Sequence, residues 1–277
     1  MTSRDVTAGL APRFGRGEAS ALTELMLHAL KGWSRTDMLI HDDEQLSPFI
    51  EESIRSMTSR LEKGEPIQYI TGEAYFYGLW FHVDPRVLIP RPETAELVDM
   101  IADLYRDRTD LRVLDIATGS GCIAIALART LKFAQVEGLD ISSAALMVAR
   151  ENDRALKAGV RFFEADMAGY VPDEDSFDIM VSNPPYIDDS EKGEMEPTVK
   201  DYEPSGALFV PDADPLIHYK EIVRIALRGL RKGGRLFLEI NPRHADAMAS
   251  LLEGEGFSDV EISFDIHGRK RFASARK

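Results

Sequence analysis

The sequence has 277 residues and a single cysteine, Cys122, so no disulfide forms within the chain. A chain without disulfides is typical of a reducing compartment. Cys122 follows Gly121 at the start of an apolar segment, where we expect a packing role rather than a reactive thiol. The six histidines are scattered and do not cluster with cysteine or carboxylates at the spacing of a metal site. We therefore expect no bound metal.

Long apolar runs are also missing. No stretch approaches the roughly 20 residues of a membrane span, and residues 1–20 lack the apolar core of a signal peptide. Acidic residues outnumber basic ones by 47 to 33, for a formal net charge of −14. Tight general binding of nucleic acid requires a cationic surface. We expect a cytoplasmic, monomeric protein with no membrane partner and no stable nucleic-acid partner.

The first part of the chain has the pattern of helices. From residue 18 to residue 63 apolar residues recur at helical spacing, and each run ends near glycine. Residues 66–90 are aromatic and β-rich, and glycine and proline interrupt them, so we predict one or two hairpins there. This predicts a helical domain over residues 1–73, a β-hairpin linker over residues 74–90 and a catalytic domain over residues 91–277.

The remainder alternates short β runs with helical runs. Strands are predicted at "RVLDIA", "QVEGLDI", "VRFFEAD", "FDIMVS" and "RLFLEI". Helices such as "CIAIALARTL" lie between them, which indicates parallel strands joined by crossovers in a doubly wound α/β sheet. The terminal "VEISFDI" and "RKRFASAR" predict an antiparallel hairpin at one edge of that sheet.

A glycine turn joins the first predicted strand to its helix in "VLDIATGSGCIAIALA". Gly119 and Gly121 allow backbone geometry and close approach that a side chain would block. Asp140 ends the next strand about twenty residues on, where a carboxylate accepts ribose hydroxyls. Together these residues predict an adenosine-bearing cofactor. The string "GSGCIA" fits both the dinucleotide pattern and the looser turn of methyltransferases, so the cofactor itself stays open at this point.

Two further carboxylates end predicted strands at the same edge. Asp115 precedes the glycine turn and could orient the loop or face the amino group of the cofactor. Asp166 could accept from an adenine amino group, with Met167 packing on the ring. Solvation at a strand end is the competing interpretation for both carboxylates.

The segment "SNPPYI" follows the fourth strand, at the edge where ligands of open α/β sheets bind. Proline removes backbone donors, which leaves the Asn183 side-chain oxygen and the Pro184 carbonyl as adjacent acceptors for one NH₂ group. Tyr186 adds a flat face on which a planar group stacks. The predicted substrate is a planar, neutral group that bears NH₂, aimed at an electrophile such as a sulfonium methyl. Such a transfer requires positioning and desolvation more than a strong base.

The chain resembles the protein-(glutamine-N5) methyltransferases that modify peptide chain release factors. "PIQYITG", "VLIPRPET" and "LDIATGSGCIAIALA" occur in family order before "SNPPYI" and "YEPSGAL". The resemblance implies a sheet of the S-adenosylmethionine-dependent methyltransferase type, with S-adenosylhomocysteine as product. It implies methylation of the glutamine in the Gly-Gly-Gln motif of class I release factors, which the helical domain would contact.

The resemblance also implies roles for individual residues. The implied cofactor-binding residues are Asp115, Ala117, Thr118, Gly119, Ser120, Gly121, Asp140, Ile141, Asp166, Met167 and Asn183. The implied substrate-binding residues are Asn183, Pro184, Pro185 and Tyr186, and Asn183, Pro184 and Tyr186 are the implied catalytic residues.

Several points stay open in the sequence. Ala117 and Asn241 stand where the family usually has glycine, and "VPDADPL" replaces a glycine-rich continuation. Arg91 and Glu93 in "LIPRPET" could gate the site or begin a helix. Because "NPPY" also occurs in methyltransferases of adenine and guanine, nucleic-acid N-methylation is an alternative function. A non-catalytic binding protein that keeps the cofactor fold is another.

Overall fold

The computed structural model describes residues 1–277, which form two compact units. The smaller unit comprises residues 1–73 and 196–202, and the larger comprises residues 74–195 and 203–277. No helix combines the length and the apolar composition that crossing a membrane requires.

The smaller unit is helical. Its elements are α1 (Ser3–Phe14), α2 (Arg16–Lys31), α3 (Arg35–Ile40), α4 (Pro48–Leu61), α5 (Ile67–Thr71) and, from later in the chain, α9 (Pro197–Tyr202). Thr2 and Ser47 cap α1 and α4 because their side chains accept from backbone N–H groups of the first turn. Leu10, Met26 and Ile54 lie in the common apolar core of α1, α2 and α4.

One expectation for residues 66–90 is wrong at its start. Residues 67–71 form the short helix α5 instead of a strand. Pro66 occupies the N-cap position, and Gly72 ends the helix with a left-handed φ of 79°. Three buried apolar residues in a five-residue segment do not distinguish a strand from a helical turn, because both periods fit so short a run.

The rest of that segment confirms the expectation of a hairpin. Strands β1 (Glu73–Phe76) and β2 (Leu79–His82) form a two-stranded sheet. Tyr77 and Gly78 both have positive φ, as the favoured two-residue hairpin turns require. The side chain of the buried Asn152 accepts from the His82 N–H and donates to the His82 carbonyl, which fixes the hairpin on the larger unit.

The larger unit continues with alternating helices and strands. In chain order they are α6 (Pro92–Leu104), β3 (Arg112–Ile116), α7 (Cys122–Thr130), β4 (Gln135–Asp140), α8 (Ser143–Leu156), β5 (Arg161–Glu164), β6 (Phe177–Ser182), β7 (Ile187–Asp188), β8 (Phe209–Val210), α10 (Ile217–Gly229), β9 (Leu230–Glu239), α11 (Ala245–Gly254), β10 (Ser258–Phe264) and β11 (Lys270–Arg276). Short 3₁₀ turns cover Asp189–Gly193, Ser205–Ala207 and Pro242–His244.

The seven-stranded sheet has the order β10-β11-β9-β6-β3-β4-β5. Its first five strands along the chain are mutually parallel, whereas β11 is antiparallel to both β9 and β10. The structure thus confirms the predicted doubly wound sheet with a C-terminal antiparallel hairpin. Strand order reverses at β3, which lies between β4 and β6. In open α/β sheets the crevice at such a reversal is where ligands bind.

Apolar residues cover both faces of the sheet. Val113 belongs to the core under α6, α7 and α8, whereas its neighbour Leu114 belongs to the core under α10 and α11. Because both faces are buried, the central strands β3 and β6 are mostly apolar runs without regular polar alternation. The polar residues at their carboxyl ends are therefore exceptions that mark one edge.

Candidate active site

The glycine turn between β3 and α7 adopts a conformation that only a few residues tolerate. Ala117, Gly119 and Gly121 have φ values of 59°, 55° and 80°, all in the left-handed region. A Cβ on Gly121 would lie 2.9 Å from Phe162 Cζ, whereas a Cβ on Gly119 would meet no protein atom within 4 Å. The absence of a side chain at Gly121 therefore allows close packing within the protein, whereas Gly119 faces open space.

Asp115 orients this turn from beneath. Its Oδ2 accepts from the Thr118 hydroxyl at 2.6 Å and from the Ala124 N–H at 3.2 Å, while Oδ1 has no protein donor. The side chain is completely buried, and this burial raises the pKa of the carboxyl to about 7. The sequence left two roles open for Asp115, orientation of the loop and contact with the amino group of the cofactor. These contacts are those of a residue that orients the loop.

Asp140 fastens the end of β4 to the turn. Its Oδ2 accepts from the Gly119 N–H and its Oδ1 from the Ser142 N–H, both at 2.9 Å. Burial raises the pKa of this carboxyl. Each carboxylate oxygen keeps lone-pair capacity beyond one hydrogen bond, so Asp140 can still accept from a ligand. Ile141 beside it is 64% exposed and lines the cavity.

A cavity of about 500 Å³ lies over this edge of the sheet. Its volume is in the range of pockets for small ligands and cofactors. Ten of the predicted residues line it, namely Ala117, Thr118, Gly119, Ser120, Asp140, Ile141, Asp166, Met167, Asn183 and Pro185. Four predicted residues, Asp115, Gly121, Pro184 and Tyr186, are not among its lining residues.

Asp166 and Met167 lie on the cavity wall after β5. The Asp166 carboxylate accepts from the Ala168 N–H at 2.9 Å, and its backbone carbonyl accepts from Gly169 and Tyr170. His218 on α10 lines the same wall, and burial lowers its pKa, so the imidazole is neutral near pH 7. No pattern in the sequence pointed to His218, because a lone histidine on a helix carries no motif.

Asn183 is held by its amide nitrogen. Nδ2 donates to the Thr94 hydroxyl at 3.2 Å, and no protein group donates to Oδ1. Because Asn183 lines the cavity, its amide oxygen is an acceptor available there. Pro184 is buried, and no protein group donates to its carbonyl.

Tyr186 has a different position from the flat wall that the sequence suggested. Its hydroxyl donates to Glu239 Oε1 at 2.9 Å and accepts from Arg271 Nη1 at 3.4 Å. Burial raises the pKa of Tyr186, and the neighbouring carboxylate of Glu239 raises it further. Asn241 Nδ2 donates to the Tyr186 carbonyl at 3.0 Å. The tyrosine thus anchors its loop to the end of β9 through both hydroxyl and backbone.

Sequence reasoning missed several residues of the wall. Three segments contribute them: residues 86–94 before and within α6, residues 204–207 of "YEPSGAL", and residues 217–221 of α10. Two of these segments are joined by Glu203, which accepts from Arg91 Nη2 at 2.5 Å and from the Ile89 N–H at 3.1 Å. The motifs were visible in the sequence, but their meeting across more than 110 positions was not.

Cys122 also lines the cavity, although only 9% of the residue is exposed. Burial raises the pKa of its thiol to about 12, so the thiol is protonated at neutral pH. Asp188, which follows the "NPPY" loop, is held by His244 Nε2 at 2.8 Å. This contact is consistent with a structural role for Asp188.

Comparison with known proteins yields matches over both units. The chain matches the model of the PrmC N-terminal domain over residues 12–72 and that of the methyltransferase small domain over residues 94–199. A relative from Bacteroides thetaiotaomicron, named release factor glutamine methyltransferase, is 44% identical over 94% of this chain and 93% of its own. Relatives of the same name from Flavobacterium psychrophilum and Geobacter sulfurreducens are 38% and 37% identical, over 95% and 98% of this chain and 93% and 94% of theirs.

Proposed function

Because the chain belongs to the release factor glutamine methyltransferase family, we propose that it methylates the glutamine of the Gly-Gly-Gln motif in class I peptide chain release factors. The methyl group comes from S-adenosylmethionine, and the acceptor atom is the side-chain amide nitrogen. One observation carries the proposal: Asn183 presents a free amide oxygen in the wall of the cavity that Gly119 and Asp140 also line. This acceptor complements an amide NH₂ group.

S-adenosylmethionine is the cofactor, and the turn after β3 fits it. A side chain at Gly119 would enter open space of the cavity rather than touch protein, so the backbone there can approach a ligand closely. Asp140 would accept from ribose hydroxyls, with Asp166 and Met167 at the adenine end. When bound, the cofactor supplies an electrophilic methyl group on sulfur.

The chain's own residues would act on the glutamine amide by orienting it. Asn183 Oδ1 and the Pro184 carbonyl would accept its two N–H bonds, and this aims the nitrogen lone pair along the remaining direction. When bound, S-adenosylmethionine would supply the methyl group to this nitrogen and would leave as S-adenosylhomocysteine, and the amide would lose one N–H proton. Because the lone pair is conjugated and weakly nucleophilic, orientation and exclusion of water contribute more than a general base.

The helical unit would recognise the release factor. Leu39, Ile40 and Phe49 expose 73%, 68% and 75% of their surface, so these apolar side chains are available to contact a protein partner. We further expect the enzyme to act as a cytoplasmic monomer. Its net charge of −14 disfavours stable binding of nucleic acid.

The test is a transfer assay with a class I release factor and S-adenosylmethionine labelled in the methyl group. We expect one methyl group on the Gly-Gly-Gln glutamine, located by mass spectrometry of the digested product. A release factor with asparagine at that position is the matched control, because its amide is one methylene shorter. Label that appears on RNA or DNA instead, or on neither substrate, would refute the proposal.

A further inference from the structure

Glu239 is a buried carboxylate that the proposed reaction does not use directly. It lies at the end of β9, is 1% exposed and does not line the cavity. Its Oε2 accepts from the Thr94 hydroxyl at 2.7 Å, and its Oε1 accepts from the Tyr186 hydroxyl at 2.9 Å. Burying a carboxylate is costly unless its hydrogen bonds are satisfied. Retention of an acidic group at this cost indicates that the carboxylate has a function.

The chain of hydrogen bonds from Glu239 has one consistent direction when its carboxyl group is ionised. An ionised carboxylate only accepts hydrogen bonds, so in that state the Thr94 hydroxyl proton is directed at Glu239. The Thr94 oxygen is then left to accept, and the group that meets it at 3.2 Å must be the NH₂ of Asn183 rather than its oxygen. Rotation of the Asn183 amide by about 180° would bring two acceptors together and lose this bond.

On this basis, and resting on the proposed function, we propose that Glu239 and Thr94 are positioning residues that fix the Asn183 amide with its oxygen toward the substrate. Without them the amide is free to present NH₂ to the cavity. A donor in that place repels the N–H bonds of the glutamine amide. Thr94 lines the cavity whereas Glu239 does not, and both act on the substrate through the orientation of Asn183.

Surrounding contacts hold Glu239 in place. The Tyr219 hydroxyl donates to its backbone carbonyl at 2.8 Å. Arg271, which donates to Tyr186, also contacts the buried Asp265. Burial raises the pKa of Glu239, while the hydroxyls of Thr94 and Tyr186 and the charge of Arg271 oppose that shift. Its contacts with Thr94, Tyr186 and Tyr219 make Glu239 the fixed end of the hydrogen-bond chain.

The test uses two Thr94 variants that differ in one hydroxyl. Thr94→Val should lower kcat on the release factor by about 10- to 100-fold through misorientation, with the Kd for S-adenosylhomocysteine changed by less than about threefold. Thr94→Ser, which keeps the hydroxyl, should restore most of the rate. Equal losses in both variants, or an unchanged kcat in Thr94→Val, would overturn the inference.

A double-mutant cycle separates positioning from simple stability. Glu239→Gln replaces one acceptor oxygen by a donor and should also lower kcat. The Thr94→Val, Glu239→Gln double variant should be no slower than the slower single variant, because both changes act on one hydrogen-bond chain. Multiplicative losses would show independent effects and would refute the proposed chain.

A measurement on the free enzyme distinguishes failure of this inference from failure of the proposed function. The side-chain NH₂ signals of Asn183 can be assigned by NMR with ¹⁵N-labelled asparagine. The hydrogens of this NH₂ group should exchange slowly with water in the wild type and in Thr94→Ser, and fast in Thr94→Val. If the wild type does not methylate the release factor, the proposed function fails while this pattern still supports the inference. Equal exchange in all three proteins refutes the inference whatever the activity.

Discussion

Gly119→Ala and Gly121→Ala are a matched pair that separates binding of the cofactor from packing of the turn. Both residues have left-handed φ values, 55° and 80°, so alanine costs each position a similar strain of about 1 to 2 kcal/mol. Ala117 already occupies this region with φ 59°, which shows that the loop accommodates a Cβ there. The two variants differ in what the new methyl group meets.

At Gly121 the methyl group would meet protein. Its Cβ would lie 2.9 Å from Phe162 Cζ, 3.2 Å from Ala149 Cβ and 3.3 Å from Ile125 Cδ1. Overpacking of this kind costs about 1 to 3 kcal/mol in addition to the strain. We therefore expect Gly121→Ala to lower the free energy of unfolding by about 2 to 5 kcal/mol.

At Gly119 the methyl group would meet no protein atom within 4 Å and would occupy cavity space. We expect a stability loss of only about 1 to 2 kcal/mol but a Kd for S-adenosylmethionine raised by about 10- to 100-fold, from a clash of about 1 to 3 kcal/mol with the ligand. Urea denaturation gives the stabilities and titration calorimetry the affinities. Wild-type affinity in Gly119→Ala, or equal stability losses in both variants, would refute the reasoning.

Three further predictions concern buried charges. Because burial raises the Asp115 pKa from 3.8 to about 7, the folded state binds the extra proton between these values. The free energy of unfolding of the wild type relative to Asp115→Asn should therefore fall by about 2 to 3 kcal/mol from pH 5 to pH 7 and level off above pH 7. A difference between the two proteins that stays constant with pH in urea denaturation would contradict this prediction. Tyr186→Phe removes a donor from the buried carboxylate of Glu239 and should destabilise the protein by about 1 to 3 kcal/mol in the same assay, with an unchanged midpoint as the contrary outcome. Glu203→Gln weakens the hydrogen bonds of this side chain to Arg91 and Ile89. It should lower the free energy of unfolding by about 1.5 to 3 kcal/mol and raise the Kd for the cofactor. Lys220→Gln, which removes an exposed ion pair, is the control and should change neither the stability nor the Kd.

The strands of the sheet could be predicted from the sequence because the pattern that indicates each strand lies within a few consecutive residues. The apolar runs of β3 and β6 are buried on both faces, and a strand of this kind requires no information from elsewhere in the chain. The same reasoning failed at Ile67–Thr71, where five residues are too short for either period to be distinguished. Proline before this segment and glycine after it were the signals that favour a helical turn.

Placement of the candidate site was predictable for the same topological reason. Asp140 ends a strand and Gly119 and Asn183 come shortly after one, and parallel strands bring their carboxyl ends to one edge. The sequence could not assign the surroundings of Tyr186, whose hydroxyl meets Glu239 across 53 positions. It also left open the role of Arg91, which the structure joins to Glu203.

The sequence by itself determined which chemical groups stand at the edge of the sheet, because strand ends, a glycine turn and a pair of prolines are local features. Only the tertiary structure decided which way the Asn183 amide faces. That choice depends on the hydrogen bond between Thr94 and Glu239, two residues 145 positions apart. The amide has a donor and an acceptor of nearly equal size, so its own sequence neighbours do not select between them. The carboxylate of Glu239 selects between them in its ionised form, because it then only accepts hydrogen bonds.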